Sequence, residues 1–206
     1  QAQRAGQIIQ RIRAFVKRSE PNPTLSDVPQ MVSNAIELAD IELRRQQVRL
    51  TPYVAARLPL LMVDPILIEQ VLINLLKNAG EAIAQAGRPP GNRSVELRVG
   101  PRRQDELDVI EFSVRDTGNG VPDEMIERIY EAFYSTKNEG MGIGLKLCRS
   151  IVESHHGRMQ VQNIYNGDEV SGCCFSFWIP VVSRLRAENP GESAPSKSLT
   201  DTERAR

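Results

Sequence analysis

The sequence predicts an α+β fold, a two-layer sandwich in which a sheet of about five strands carries three helices, and three observations lead there. A 3.6-residue apolar period runs from Asp64 to about Ala86. Two neighbouring stretches, "SVELRVG" and "LDVIEFSVRD", read as a hairpin of strands. A glycine-rich loop then leads into another helical pattern, and two further strand-like stretches close the series.

In chain order, Ala5, Ile8 or Ile9, Ile12, and Phe15 or Val16 recur at helical spacing, in an apolar stripe too broad for the little that follows it. That stripe predicts a partner outside this chain. The first residues, "QAQRAGQIIQ", hold neither an initiator Met nor a signal-peptide pattern, as expected of a fragment of something longer. "SEPNP", Ser19 to Pro23, breaks the helix, because proline removes a donor and restricts the residue before it. Residues 1–20 and 21–183 therefore read as separate units.

Ser26 or Asp27 caps a helix from about Val28 to Gln46, and Val48 to Tyr53 alternates as a strand. Asp64-Pro65 is a cap and first-turn pair for the long helix. Its core face is Ile68, Val71, Leu72, Leu75, Leu76, Ala79, Ala82 and Ile83. The second strand of the hairpin delivers Asp116 to the sheet end. Pro122, Asp123 and Glu124 open a short helix towards Glu131, and a further helix runs from about Ile143 to His155. "RMQVQN" and "CCFSFWIP" complete the sheet. Residues 184–206 are polar and rich in Pro and Ser, which predicts a disordered tail.

Lys+Arg and Asp+Glu both total 26, so no global field recruits nucleic acid or a membrane surface. Five positive residues lie between Gln1 and Arg18 without an acid, and they read as a solvated helix face. No stretch reaches the roughly 18 apolar residues of a membrane span. Three cysteines without CxxC spacing argue against a disulfide scaffold or zinc site and fit a reducing, cytoplasmic compartment. Cys173 and Cys174, adjacent on a strand, should face opposite ways. Cys148, Cys174 and Trp178 read as core.

On the long helix, Asn74, Asn78 and Glu81 stand at i, i+4 and i+7, one polar stripe beside the apolar face. After the hairpin, "VRDTGNGVP" sets the Asp116 carboxylate before Gly118 and Gly120. "EGMGIGL" places Gly140, Gly142 and Gly144 just ahead of a helix, where free amides favour negative charge. It is neither a Walker loop, lacking Gly-Lys-Ser/Thr, nor the dinucleotide fingerprint, whose glycine spacing differs.

"NLLKNAGEA", "DTGNG", "FYSTK" and "GMGIGL" in that order resemble the ATP-binding catalytic domain of bacterial sensor histidine kinases. The wider superfamily includes DNA gyrase, mismatch-repair MutL and a major chaperone. The resemblance runs from about Leu25 to Pro180. It implies a mixed sheet with the helices on one face, and ATP and Mg2+ as cofactors.

By that resemblance, Asp116 accepts the adenine amino group, and Gly118 and Gly120 let the chain pass the base. Asn78 matches the magnesium ligand, a neutral oxygen donor suited to a hard cation. Asn74 would line the phosphate pocket, with Glu81 further along the same stripe. Phe133 and the loop to Gly140 match a lid, Lys137 a phosphate contact, and Gly140, Gly142, Gly144 and Leu145 the hinge and amide cradle. Lys77 and Thr136 are further candidates that also fit plain surface.

The hydrolysing relatives carry Glu where this chain has Asn74. An amide takes up no proton near neutral pH, so the resemblance implies a protein-histidine kinase rather than an ATPase. His155 and His156 match a histidine without a phosphoacceptor role. Residues 1–20 resemble the second helix of a dimerisation hairpin, which implies a homodimer, an acceptor histidine upstream, and a response regulator receiver domain as partner. The usual Gly-Thr of the last strand is Gly172-Cys173 here, and a thiol donates only weakly. A non-catalytic, nucleotide-gated interaction module is the alternative reading.

Overall fold

Two aspartates start the two long helices. In the computed structural model, which describes residues 22–126, 128–130 and 143–181, Asp27 Oδ1 accepts the N–H of Gln30 at 2.8 Å and opens α1, Val28–Arg45. Asp64 Oδ1 accepts the N–H groups of Ile66 and Leu67 at 3.1 and 3.3 Å at the head of α2, Pro65–Gln85. These carboxylates satisfy donors that have no preceding helical turn, and a proline in each first turn has no donor to lose. The third helix, α3, spans Gly144–Ser154. Residues 1–20, 184–206 and the expected lid lie wholly or largely outside the described residues.

The strands are β1 (Thr24–Ser26), β2 (Arg49–Val54), β3 (Leu61–Val63), β4 (Ser94–Gln104), β5 (Leu107–Asp116), β6 (Arg158–Asn166) and β7 (Glu169–Pro180). Five form one mixed sheet in the order β2-β4-β5-β7-β6, with β2 parallel to β4 and every other pairing antiparallel. Asp105 and Glu106 turn the β4–β5 hairpin with φ of 47° and 66°, the positive pair a two-residue hairpin turn of matching twist requires. β1 and β3 pair antiparallel in a separate ribbon. Sequence periodicity does not reveal them, because three residues are too few to establish alternation.

The inward face of the sheet supplies Val95, Leu97, Ile110, Phe112, Val114, Phe177 and Ile179 to the core, all buried. Phe112 and Phe177, paired across β5 and β7, stack with centroids 4.6 Å apart. Val28, Met31, Val32, Ala35, Ala39 and Leu43 of α1 complete that core together with the apolar face of α2. On α2 the buried set is the predicted one with Gly80 in place of Ala82, which is half-buried. A Cβ at Gly80 would stand 2.8 Å from Leu43 Cδ2, so glycine lets the end of α1 close onto α2.

Some readings need correction. The segment after Pro122 forms two single 3-10 turns, Asp123–Met125 and Arg128–Tyr130, among the described residues, rather than one short helix. Trp178 and Cys174 are half-buried on the helix-free side of the sheet, where alternation along β7 places them opposite the buried Cys173 and Phe177. Trp178 stands in register with Glu111 and Arg158 there. That side is otherwise polar: Glu96 pairs with Arg98, whose guanidinium lies 4.8 Å from the Tyr53 ring centroid, and Arg102 pairs with Glu111.

Candidate functional site

Helical spacing puts Asn74, Asn78 and Ala82 on one stripe of α2, successive at i+4. At one end, Asn74 Nδ2 donates to Cys148 Sγ of α3 at 3.3 Å. A Cβ at Gly144 would meet Asn74 Oδ1 at 2.9 Å, so the start of α3 lies directly against this amide. At the other end, a Cβ on Gly118 would meet Ala82 Cβ at 2.9 Å. The stripe therefore reaches from the end of the glycine-rich loop to the turn after β5. At 1.5 Å per residue the two ends are about 12 Å apart, with Asn78 halfway.

Asp116 ends β5 on the inward face, between Val95 of β4 and Cys173 of β7, and is only 3% exposed. Its Oδ1 accepts the N–H of Gly118 at 2.8 Å. Burial pushes this carboxyl up to about 6, against the opposing pull of the N–H of Gly118 and the backbone of Cys173. The neighbouring backbones close tightly round it, since a Cβ at Gly172 would fall 2.0 Å from the Asp116 carbonyl oxygen. Burial above all, and then the charge of Asp116, push the Cys173 thiol up, leaving it a neutral neighbour.

The turn beyond Asp116 is held from both sides. Gly120 has φ +72°, and a Cβ there would lie 2.4 Å from Val170 Cγ1 and 2.7 Å from Asn163 Oδ1. Asn163 Oδ1 accepts the N–H of Val121 at 2.8 Å, and its Nδ2 donates to the Val121 carbonyl at 2.6 Å. From the opposite side, Arg88 Nε donates to the Thr117 carbonyl at 3.1 Å and its Nη2 to the Gly118 carbonyl at 3.3 Å. Thr117 Oγ1 donates to the Asn92 carbonyl at 2.7 Å. Gly118 and Gly120 thus give clearance first of all to the protein's own Ala82, Asp116, Asn163 and Val170.

Of the other candidates, Asn78, Glu81, Gly144 and Leu145 are half-buried, Leu145 resting on the core, and Lys77 is exposed. Phe133, Thr136, Lys137, Gly140 and Gly142 lie outside the described residues. Sequence reasoning missed Arg88, Asn163 and Tyr130. Asn163 carries a signal: along β6, Met159 and Val161 face inward, and Asn163 continues that row as an amide. Arg88 carries none. Tyr130 lies under the Arg149 guanidinium, 5.0 Å from its ring centroid. Its hydroxyl is buried without a hydrogen-bond partner among the described residues, and burial pushes it up to about 12.

These residues fit a nucleotide better than a bare metal. Among the described residues no group of three His, Cys, Asp or Glu side chains is placed to hold an ion. A hard cation at Asn78 would need most of its oxygen ligands from phosphate or water. Asp116 is a buried acceptor, and the Tyr130 hydroxyl is buried with no partner among the described residues, so both are groups whose desolvation a polar ligand would offset. Among the described residues no helix is long and apolar enough to cross a membrane.

Residues 63–183 match the family described as histidine kinase-, DNA gyrase B-, and HSP90-like ATPase. The chain is 36% identical over 197 residues to the C4-dicarboxylate transport sensor protein DctS of Rhodobacter capsulatus, a match covering 95% of this chain and 27% of that one. It is 38% identical over 180 residues to the sensor protein FixL of Bradyrhizobium diazoefficiens, covering 87% of this chain and 34% of that one. The chain thus spans about a third or less of the length of these curated relatives.

Among solved structures, full-length ShkA in complex with AMPPNP superposes with a TM-score of 0.63 at 25% identity, covering 78% of this chain and 31% of that one. The nucleotide-free catalytic domain of histidine kinase ThkA superposes with a TM-score of 0.60 at 25% identity, covering 78% and 95%. With the mixed five-stranded sheet and its helical layer, these similarities lead to one conclusion: the chain belongs to the histidine kinase-, DNA gyrase B-, and HSP90-like ATPase family, as a histidine kinase ATP-binding catalytic domain.

Proposed function

We propose that this domain binds Mg-ATP between α2 and the turn after β5, and supplies the γ-phosphoryl group to a histidine on a dimeric helical hairpin. The observation that carries the reading is the α2 stripe: Asn74 abuts Gly144 at one end and Ala82 abuts Gly118, beside buried Asp116, at the other. A span of about 12 Å suits a nucleotide lying from base to terminal phosphates.

In this reading Asp116 accepts the exocyclic amino group of adenine with the carboxylate oxygen not taken by Gly118. Asn78 offers its amide oxygen to magnesium, and Asn74 and the amides at Gly144 and Leu145 face the phosphates. Magnesium, when bound, neutralises charge on the phosphate oxygens. Lys137 contacts phosphate, and Phe133, Thr136, Gly140 and Gly142 belong to the covering loop. Lys77 and Glu81 border the pocket. Asn74 cannot accept a proton from water, so the site positions the nucleotide without activating hydrolysis. An imidazole nitrogen attacks the γ-phosphorus, the bond to the β–γ bridging oxygen breaks, and ADP leaves.

The phosphoryl group then passes to an aspartate of a response regulator receiver domain. The similarity to sensor proteins supports that partner. Titration of ADP into the purified chain, followed by incubation with Mg-ATP and the hairpin domain of the parent protein, tests the reading. Acid-labile, base-stable phosphate on the hairpin is the expected outcome. Tight nucleotide binding without transfer would leave the interaction-module reading, and steady phosphate release by the isolated domain would mean an ATPase.

A further inference from the structure

We propose that Arg88 is a positioning residue for adenine recognition, acting on Asp116 through the single peptide plane between Thr117 and Gly118. The inference rests on the nucleotide reading above. In a trans peptide the C=O and N–H point in opposite directions. Here the Thr117 carbonyl accepts from Arg88 Nε at 3.1 Å, while the Gly118 N–H at the other edge of the same plane donates to Asp116 Oδ1 at 2.8 Å. The guanidinium holds the plane in the rotation that aims this N–H at the carboxylate. It also polarises the amide, since hydrogen bonds in series strengthen one another and a charged donor strengthens them further.

Two further contacts make this a clamp. Arg88 Nη2 reaches the next carbonyl, that of Gly118, at 3.3 Å, so one planar fork grips two consecutive peptide units and resists flipping of either. Arg88 is itself held from behind, because its carbonyl accepts from Arg93 Nε at 2.7 Å, and Arg93 Nη1 donates to the Gln46 carbonyl at 3.0 Å. The end of α1, the segment after α2 and the turn after β5 are thereby joined by two arginines. With glycine at positions 118 and 120 the turn has no side chain of its own at either place; Asn163 holds the peptide groups of Val121 further along, and the Arg88 fork holds the two peptide units next to Asp116. With Oδ1 committed to Gly118, the other carboxylate oxygen is left in one orientation for the base.

The test compares the unaltered chain with Arg88→Lys and Arg88→Met by ADP calorimetry, thermal melting, and the proton resonance and exchange rate of the Gly118 amide in ligand-free protein. Arg88→Met should weaken ADP binding about tenfold, the loss expected for a charge-assisted hydrogen bond. It should move the Gly118 amide upfield and speed its exchange. Arg88→Lys, whose single ammonium reaches one carbonyl, should restore part of both. If Arg88→Met does not fold, Arg88→Lys alone must show both changes in smaller measure.

A Gly118 amide unchanged in the variants, or ADP affinity within twofold of the unaltered chain, overturns the proposal. So does an equal loss in both variants that follows only a fall in melting temperature, since that marks a purely structural arginine. If the unaltered chain fails to bind ADP, the nucleotide reading falls and takes the adenine role with it. The amide measurements then show separately whether the clamp on Asp116 exists.

Discussion

His155 Nε2 accepts the backbone N–H of Asp64 at 3.0 Å, tying the end of α3 to the cap of α2. The Nδ1 of the same ring lies 2.8 Å from the Ile151 carbonyl. Because Nε2 is an acceptor, the proton of the neutral ring sits on Nδ1 and is donated to Ile151. Both nitrogens of this buried ring are engaged, so neither is available to a phosphoryl group.

His155→Ala should destabilise the domain by about 2 kcal/mol, because it removes two hydrogen bonds and leaves a cavity between two helix ends. Denaturant unfolding checks this. After incubation with Mg-ATP, peptide mapping should find no phosphate on His155, and its presence there would contradict the buried geometry.

Asp116 opposes folding at neutral pH. Its folded value is raised to about 6 from an ordinary value of 3.8, so between these limits the folded state binds more protons than the unfolded chain. Its contribution to stability is most favourable below about 4 and declines as pH rises through 6. The difference amounts to about 3 kcal/mol at pH 7.5. Asp116→Asn should therefore raise the melting temperature of ligand-free protein at pH 7.5. It should also abolish ADP binding: with Oδ1 taken by Gly118, the amide nitrogen would face the adenine amino group, donor against donor. Melting curves and calorimetry on one preparation test both halves.

The same carboxyl sets a pH profile for nucleotide binding. Only the ionised form keeps the oxygen not held by Gly118 free of a proton as an acceptor for the base, so ADP affinity should hold above about pH 7 and weaken below 6. At pH 5 the ionised fraction is about one in ten, and Kd should rise about tenfold. An ADP affinity constant between pH 7.5 and 5 would exclude Asp116 as the acceptor.

Gly120→Ala should destabilise the protein by about 2 kcal/mol or more, since it combines a positive φ with a Cβ placed 2.4 Å from Val170 Cγ1. Gly167→Ala is the control. That residue has φ +64° but open space around its Cβ position, so the backbone penalty of about 1 kcal/mol should appear alone. Equal losses at the two sites would show that crowding around Gly120 is relieved by rearrangement.

The cysteines should label in order of exposure. Cys174 is half-buried, whereas Cys148 and Cys173 are buried, with burial pushing Cys148 up to about 12. A thiol reagent at pH 8 should modify Cys174 first and the other two only on unfolding, as peptide mass spectrometry would show.

Local chemistry made much of the fold legible. Asp27 and Asp64 are caps by residue type alone, the apolar positions of α2 repeat every 3.6 residues, and the alternation of β4 and β5 survives a turn that needs two positive φ values. The glycines and the Asp of the turn were visible as a pattern, while their reason was not. Gly118 and Gly120 are crowded by Ala82, Asn163 and Val170, which lie far from them in the chain.

Helix starts, strand stretches and the Asn74–Asn78 spacing are properties of a few consecutive residues, and a chain carries such information along its own length. The meeting of Asp116 with Cys173, the clamp of Arg88 on Thr117 and Gly118, and the link from His155 to Asp64 join residues 29 to 91 positions apart in the explicit hydrogen bonds and 57 apart across the strands. No local rule selects such partners. They follow from strand register and close packing, which exist only once the whole sheet and its helices have come together.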